Sequence, residues 1–236
     1  MSAKMPAVDR FRVAASLLVC TIHTSPFATF TADGDFWLTR VLARIAVPFF
    51  FLTTGYFLAQ SGWSNAPRFL KKTGLLSLIS ILLYLPLNVY AHQIGSVQDV
   101  LRALLFDGTF YHLWYFPAVL LGVLICLLLL RGGQRFALIF ASLLYLVGLG
   151  GDSYYGLIAS FPAGKAFYDA LFHVFSYTRN GLFFAPLFLL LGGSAKKRSA
   201  GFSFALFLLS LFGMSAEAFL LRANGVPRHD SMALLL

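Results

Sequence analysis

The chain has 236 residues, of which 59% are hydrophobic and only 11% are charged, and its mean hydropathy is +0.79. Soluble domains carry about 25% charged residues, so the composition excludes an ordinary soluble enzyme and favours a protein solvated by the lipid bilayer. The net charge of +9 fits the basic cytoplasmic loops of a membrane protein, and we expect no nucleic-acid partner.

Hydropathy along the chain predicts an all-α, polytopic bundle of transmembrane helices. A span needs roughly 20 mainly apolar residues, and seven complete spans plus the start of an eighth at Met232 fit that requirement. Arg10 and Arg12 precede the apolar run of the first span, as in a signal peptide, but no small-residue cleavage site follows it, so we interpret the span as retained. The seven are Phe11–Phe30, Phe36–Ala59, Thr73–Ala91, Tyr111–Leu130, Phe136–Gly150, Asn180–Gly193 with some preceding residues, and Phe202–Leu221.

Charges in the connections predict the orientation. Alternate connections are basic, and most aspartates fall in the other set. Because Lys and Arg are enriched in cytoplasmic loops, the N-terminus is predicted to be cytoplasmic. The basic residues are Lys4, Arg10, Arg12, Arg68, Lys71, Lys72, Arg131, Arg135, Lys196, Lys197 and Arg198.

Two shorter patterns stand out. The amphipathic segment Ser96–Gly108 predicts a short helix in the outer interface, with Ser96 or Asp99 as its cap. Spans two and six also resemble each other, since each has an Arg, then a Pro among Phe and Leu residues, then a Gly; chance explains this equally well.

Arg12 and His23 in the first span are unusual for a membrane helix. Eleven residues make three turns plus about 20°, so both side chains share one face, about 16 Å apart along the axis. Ionisable groups within spans are costly and usually face a cavity or a partner. A plain anchoring role for Arg12 and an interhelical hydrogen bond for His23 remain open alternatives.

Other candidate residues lie on the predicted outer side or deep in a span. Arg44 is deeper than Arg40, and a buried Arg needs an anion, either a structural acid or a ligand phosphate. Glu217 could pair with Arg222 in span seven. The polar and aromatic candidates for an outward-facing site, each of which could also be an ordinary interface or loop residue, are His112, Trp114, Tyr115, Asp152, Tyr154, Tyr155, His173, Arg179, Asn180, His229 and Asp230.

Signatures of other active sites are missing from the sequence. Cys20 and Cys126 both lie in apolar runs and are expected to be inert packing residues, and we expect no metal site. The sequence contains no phosphate loop, dinucleotide-binding glycine pattern, nucleophile elbow or zinc-protease motif.

Three motifs, in order, resemble the acyltransferase 3 family of membrane acyltransferases. Arg12 and His23 match the Arg-x10-His pattern of the family's first span, and Val8–Arg12 resembles the family's start of that span. Arg44, followed by Pro48 and two Phe residues and then by Gly55-Tyr56, resembles the second-span motif. His112-Leu-Trp-Tyr resembles the family's His-Leu-Trp motif, so the resemblance covers residues 1–236 as one transmembrane domain.

This resemblance implies a multi-pass enzyme of the bacterial cytoplasmic membrane. The donor would be cytoplasmic acyl-CoA, with acetyl-CoA the expected form, and the acceptor a hydroxyl or amine at the outer face, by analogy a cell-envelope sugar. His23 would act as the general base, and Arg12 and Arg44 would bind donor phosphate or developing negative charge. His112, Trp114, Tyr115, Asp152, Arg179 and Asn180 would contact the acceptor, and no cofactor would be bound permanently.

Within the family, the sequence is most similar to the membrane half of membrane-bound serine racemases of vancomycin resistance. The segments beginning at Leu144, Thr178 and Arg228 carry this similarity. It raises an alternative, a module that transports or supplies an amino acid such as serine, with Arg12 and Arg44 on its carboxylate and His23 as a proton relay. A scaffold or sensor is a third class. Because the chain stops at Leu236 within an apolar run, we expect a C-terminally incomplete domain.

Overall fold

The structure, a computed structural model, describes residues 5–92, 95–196, 198–225 and 232–234. Within those ranges the regular elements are all helical, as the composition predicts. Lys4, Lys197, Arg228, His229 and Asp230 lie outside the described residues, as do the last two residues of the chain, within the predicted eighth span. The α-helices are α1 (Pro6–Thr24), α2 (Ala32–Arg40), α3 (Ala46–Ala59), α4 (Ala66–Tyr90), α5 (Val97–Arg102), α6 (Tyr115–Leu129), α7 (Gln134–Gly151), α8 (Tyr155–Ile158), α9 (Pro162–Phe172), α10 (Ala185–Gly193) and α11 (Ala200–Ala223).

Among the described residues, five helical segments are long and apolar enough to cross a membrane, which supports a multi-pass protein. They coincide with the predicted second, third, fourth, fifth and seventh spans. Short 3-10 turns extend two of them, because Leu42–Ile45 joins α2 to α3 and Tyr111–Trp114 precedes α6. The five segments are Ala32–Ala59, Ala66–Tyr90, His112–Gly132, Gln134–Gly151 and Ala200–Ala223.

The first and sixth predicted spans differ from the structure in length. Helix α1 ends at Thr24, six residues before the predicted end, because Ser25 adopts a left-handed conformation with φ of 43°. Helix α10 has only nine residues. At 1.5 Å per residue it covers about 13 Å, less than half of the hydrocarbon thickness. The count of seven spans and the cytoplasmic N-terminus therefore stay predictions.

Helices α3 and α10, whose sequences resemble each other, pack together as parallel helices. Phe51 of α3 contacts Phe184 just before α10, and Ala59 at the end of α3 lies beside Gly193 at the end of α10. A Cβ on Gly55 of α3 would overlap the carbonyl oxygen of Leu189, and a Cβ on Gly192 of α10 would overlap that of Leu52. Gly55 lies three residues after Leu52, and Gly192 lies three residues after Leu189, so the two close contacts are reciprocal. This reciprocal crossing brings the two backbones close together, as small residues do in membrane helix pairs.

Contacts of charged side chains correct the predicted Glu217–Arg222 pair and confirm the predicted cap of the interface helix. Arg222 does not pair with Glu217; it forms a 2.9 Å ion pair with Asp33, since five residues place the two side chains about 140° apart on α11. Glu217 accepts a hydrogen bond from the Tyr154 hydroxyl at 2.9 Å. The predicted interface helix is α5, and Ser96 and Asp99 together form its N-terminal capping box.

Candidate active site

A cavity of about 300 Å³ brings together most of the candidate residues from four separate parts of the chain. We call it the histidine cavity. It lies where the end of α1, the start of α3, the start of α6 and the turn before α10 meet. Its other walls are aliphatic, and its polar and aromatic lining residues are His23, Arg44, Phe50, His112, Trp114, Tyr115, Arg179 and Phe184.

The centre of this cavity is a pair of histidines. The rings of His23 and His112 lie with their centroids 4.0 Å apart and their planes inclined by 56°. His23 is in the last turn of α1, and His112 is in the 3-10 turn before α6, where its other neighbour is the Phe110 ring at 5.8 Å. Since an imidazole ring can both accept and donate a proton, the pair puts proton-transfer groups at the centre of the cavity.

Two arginines face this histidine pair. Arg44 is 8% exposed, and both Arg44 and Arg179 lie close enough to His23 to interact with it electrostatically. Arg44 precedes α3 in the 3-10 turn, while Pro48 occupies the third position of α3, where its missing N–H costs no helical hydrogen bond. The cavity can therefore stabilise negative charge next to a proton acceptor.

Arg179 is held in place by its aromatic neighbours and by the turn that carries it. Its guanidinium carbon lies 4.6 Å from the centre of the Trp114 ring, within the range of a cation–π interaction. The turn is fixed by Asn180, whose amide donates to the Tyr177 carbonyl at 2.8 Å and accepts from the backbone N–H groups of Leu182 at 2.9 Å and Phe183 at 3.1 Å. Asn180 is fully buried and does not line the cavity, so its contacts are those of a positioning residue.

Asp152 is the other predicted acceptor residue that lies outside the histidine cavity. It follows the last residue of α7 and is 9% exposed, beside Ser153. The sequence predicts that Asp152 lies in an outer loop with Arg179. In the structure its side chain is buried at the end of α7. Its role as an acceptor contact stays a prediction.

Arg12 lines a second cavity, of about 380 Å³, at the other end of α1. We call this one the basic cavity. Arg12 forms a 2.9 Å ion pair with Asp9 and lies over the Phe57 ring at 5.3 Å. The structure thus separates Arg12 from Arg44, although both had been assigned to binding negative charge. The complete lining is Arg12, Thr54, Phe57, Leu58, Asn65, Arg68, Phe69 and Lys72.

Arg68 and Lys72 are functional candidates that the sequence reasoning missed. Both residues were assigned to a basic cytoplasmic loop, whereas they lie in the first two turns of α4. Their spacing of four residues puts both on one face of that helix, and this was the available signal. That face meets Arg12 because α1 packs against α3 and α4 follows α3 after a short turn, so side chains of all three helices line the cavity.

Comparison with known proteins identifies one matching family model and several relatives. The model is described as an acyltransferase domain, of the type numbered 3, and it matches residues 5–235. An amino-acid racemase of Enterococcus faecalis is 41% identical over 243 residues, which is 97% of this chain and 34% of that protein. A serine/alanine racemase of Enterococcus gallinarum is 40% identical over 249 residues, covering 99% of this chain and 36% of that protein.

The chain therefore spans about a third of the length of the curated relatives it matches. A second amino-acid racemase of Enterococcus faecalis gives the same result, with 39% identity over all of this chain and 36% of the relative. No solved structure matches the chain significantly. These matches confirm the similarity, inferred from three motifs, to acyltransferase 3 proteins and to the membrane part of the racemases.

Proposed function

Because the chain belongs to the acyltransferase 3 family, we propose that it is a membrane acyltransferase that moves an acyl group, in particular acetyl, from cytoplasmic acyl-CoA to a hydroxyl or amine at the outer face. The observation that carries this proposal is the His23–His112 pair beside Arg44 and Arg179 in one cavity. A proton acceptor next to two guanidinium groups provides what acyl transfer from a thioester requires.

In the proposed reaction, His23 accepts the proton of the acceptor hydroxyl or amine as its oxygen or nitrogen bonds to the thioester carbonyl carbon. General base catalysis of this kind contributes roughly 10²–10⁴ in rate. Arg44 and Arg179 stabilise the carbonyl oxygen as it gains negative charge. The C–S bond then breaks, and the leaving CoA thiolate takes up the proton held by His23. His112 and Trp114 position the acceptor.

The basic cavity is the proposed site for the phosphates of the donor. Arg12, Arg68 and Lys72 converge there from two helices, and guanidinium and ammonium groups are suited to phosphate oxygens. The predicted orientation puts this cavity on the cytoplasmic side, where acyl-CoA is available. The neighbouring basic loops would also attract a polyanion by long-range steering.

The acceptor we propose is a cell-envelope sugar, by analogy with the family. The test is to incubate membranes containing the protein with labelled acetyl-CoA and to measure label in envelope sugars. His23→Ala should abolish the transfer, whereas His173→Ala, in an exposed histidine of the same bundle, should leave it intact. Transfer that persists in His23→Ala would exclude His23 as the base.

A second candidate function is the transport or supply of an amino acid such as serine. The names of the relatives favour it, because two are amino-acid racemases and one is a serine/alanine racemase. Arg44 would then bind the substrate carboxylate beside His23, which would relay protons, and Arg12 would bind the carboxylate when it is in the basic cavity. Serine uptake into proteoliposomes without any acyl donor, by a protein that transfers no label from acetyl-CoA, would replace the acyltransferase proposal by this one.

A further inference from the structure

A further cavity, of about 570 Å³, lies between α11 and the helices α1, α3 and α10. On α11 its wall extends from Phe202 to Met214, and the facing wall includes Phe11 of α1, Phe49 of α3 and Phe188 of α10. We call it the α11 groove. It is larger than the histidine cavity and the basic cavity, and its volume lies in the range of ligand-binding pockets.

The groove lies beside the N-terminal half of α11, whereas α11 is joined to the bundle in its C-terminal half. The Ser215 hydroxyl accepts a hydrogen bond from the Trp37 indole at 2.9 Å, and the Phe219 ring packs against Phe36 with centroids 5.2 Å apart. Within the described part of the chain, the polar contacts between α11 and the rest of the bundle all fall in residues 215–222. The space beside the other half of α11 is therefore available to a ligand.

This groove is open to the lipid bilayer along one side. Leu206 and Phe207 line it, yet they are 52% and 42% exposed. Because α11 is long and apolar enough to span the membrane, this exposed surface lies against hydrocarbon. Apolar cavities are not stably filled by water, so a hydrocarbon chain is the occupant that the surroundings supply.

The groove is about as long as one leaflet is thick. From Phe202 to Met214 is twelve residues, which cover about 18 Å along α11. The hydrocarbon core is about 30 Å thick, so each leaflet contributes about 15 Å. The groove therefore accommodates one extended acyl chain of a membrane lipid, whereas a transmembrane helix needs the whole thickness.

The end of the groove near Phe202 carries a positive charge. Among the described residues that line the groove, Arg198 is the charged one and none has a carboxylate. The Arg198 guanidinium carbon lies 5.7 Å from the centre of the Phe202 ring, and the Ser203 hydroxyl lines the groove in the first turn of α11. A guanidinium binds phosphate oxygens, and a hydroxyl can donate to an ester carbonyl. These groups match the headgroup end of an anionic phospholipid.

Small side chains leave room for the lipid chain. Ser203, Phe207, Ser210 and Met214 line the groove at spacings of four, three and four residues, so they share one face of α11. Phe and Leu predominate elsewhere on this helix, and either of them at both serine positions would fill much of the groove.

We propose that the α11 groove binds an anionic glycerophospholipid, with one acyl chain between α11 and α3 and the phosphate on Arg198. The predicted orientation puts Arg198 on the cytoplasmic side, where anionic headgroups give the membrane a negative surface potential. The bound chain supports the half of α11 that lies before residue 215. The proposal does not depend on which reaction the histidine cavity catalyses.

The first test maps the bound lipid and needs no variant. The protein is reconstituted in phosphatidylcholine vesicles with a small fraction of phosphatidylglycerol that carries a photoactivatable diazirine at the end of one acyl chain. We expect saturable crosslinks near Met214 and Pro48, at the deep end of the groove, and competition by unlabelled phosphatidylglycerol. Equal crosslinking of the exposed apolar face of α4, around Leu83, would show general lipid contact only and would overturn the proposal.

Matched variants test the fit of the chain and of the phosphate separately. Ser210→Trp fills the groove and should remove the crosslinks, whereas Leu209→Trp, at an exposed neighbouring position outside the groove, should leave them. Arg198→Gln should raise the half-saturating fraction of the probe by roughly fivefold. Lys196→Gln removes the same charge two residues earlier, outside the groove, and should leave that fraction nearly unchanged. Equal effects of the two charge variants, or equal labelling of the groove by a phosphatidylcholine with the same diazirine, would overturn the proposal.

A second copy of the chain is the competing occupant, and a thiol in the groove distinguishes it from lipid. Leu206→Cys is placed in a Cys20→Ser background, in which the remaining Cys126 is buried. We expect phosphatidylglycerol to slow the reaction of the introduced thiol with a membrane-soluble maleimide, and a bifunctional thiol reagent to leave the protein monomeric. If that reagent links two protomers and the lipid gives no protection, the groove is an interface between copies and the lipid proposal fails.

Discussion

The two cavities at the ends of α1 are built from different kinds of residues. The histidine cavity is lined by aromatic rings around paired histidines and two arginines, one of which is 8% exposed. The basic cavity is lined by flexible cations, and its Arg12 side chain is 40% exposed. In the first, a low local dielectric strengthens each electrostatic interaction, whereas in the second water screens it. The histidine cavity is therefore suited to the chemical step, and the basic cavity is suited to reversible binding of an anion.

The largest expected effect is on the histidine side of the comparison. Replacing His23 by Ala or Gln should lower kcat by roughly 10²–10⁴, because the proton acceptor is lost while the walls of the cavity remain. Initial rates with labelled acetyl-CoA give kcat and KM for each variant. Arg12→Gln provides the contrast, since it should raise KM for the donor. A kcat loss in Arg12→Gln as large as that in His23→Gln would mean that the two cavities do not divide chemistry from binding.

Arg44 offers the next largest effect. Arg44→Gln removes a buried donor to the developing oxyanion and should lower kcat by about 10²–10³. Arg44→Lys keeps the charge but lacks the planar pair of donors, so it should recover only part of the rate. Arg40→Gln, one turn earlier and outside the histidine cavity, is the control. An increase in KM for the donor with unchanged kcat would mean that Arg44 binds the donor and does not act in the chemical step.

The sequence predicted the composition of the histidine cavity better than that of the basic cavity. Hydropathy is a local property, so it located five helices that can span a membrane, and the three motifs supplied His23, Arg44 and His112. The sequence did not identify Arg68 and Lys72 as binding candidates, because that role depends on which face of α4 lines a cavity with Arg12. The predicted sixth span begins earlier than α10, because the Asn180 amide oxygen accepts the N–H groups of Leu182 and Phe183 and holds these residues in a turn before the helix.

A smaller effect, on protein stability, is expected from disturbing the close contact between α3 and α10, the helices that follow Arg44 and Arg179. Gly192→Ala forces a Cβ against the Leu52 carbonyl and should destabilise the protein by about 1–3 kcal/mol. Thermal unfolding in detergent, followed by circular dichroism, measures this as a lower Tm. Gly74→Ala, in α4 with open space around it, should instead stabilise by about 0.5–1 kcal/mol. Equal Tm values for both variants would show that α3 and α10 do not cross as closely as described.

The smallest effects are expected in the basic cavity, where each cation contributes little alone. Lys72→Gln and Arg68→Gln should each raise KM for acetyl-CoA by roughly two- to fivefold and leave kcat unchanged, because partly solvated ion pairs are weak. The increase should shrink at high ionic strength, where the parent protein also loses the attraction. Arg131→Gln removes a charge from the same predicted side of the membrane but outside the cavity. If it raises KM as much, the donor is attracted by the general basic surface, and the basic cavity has no specific part in binding it.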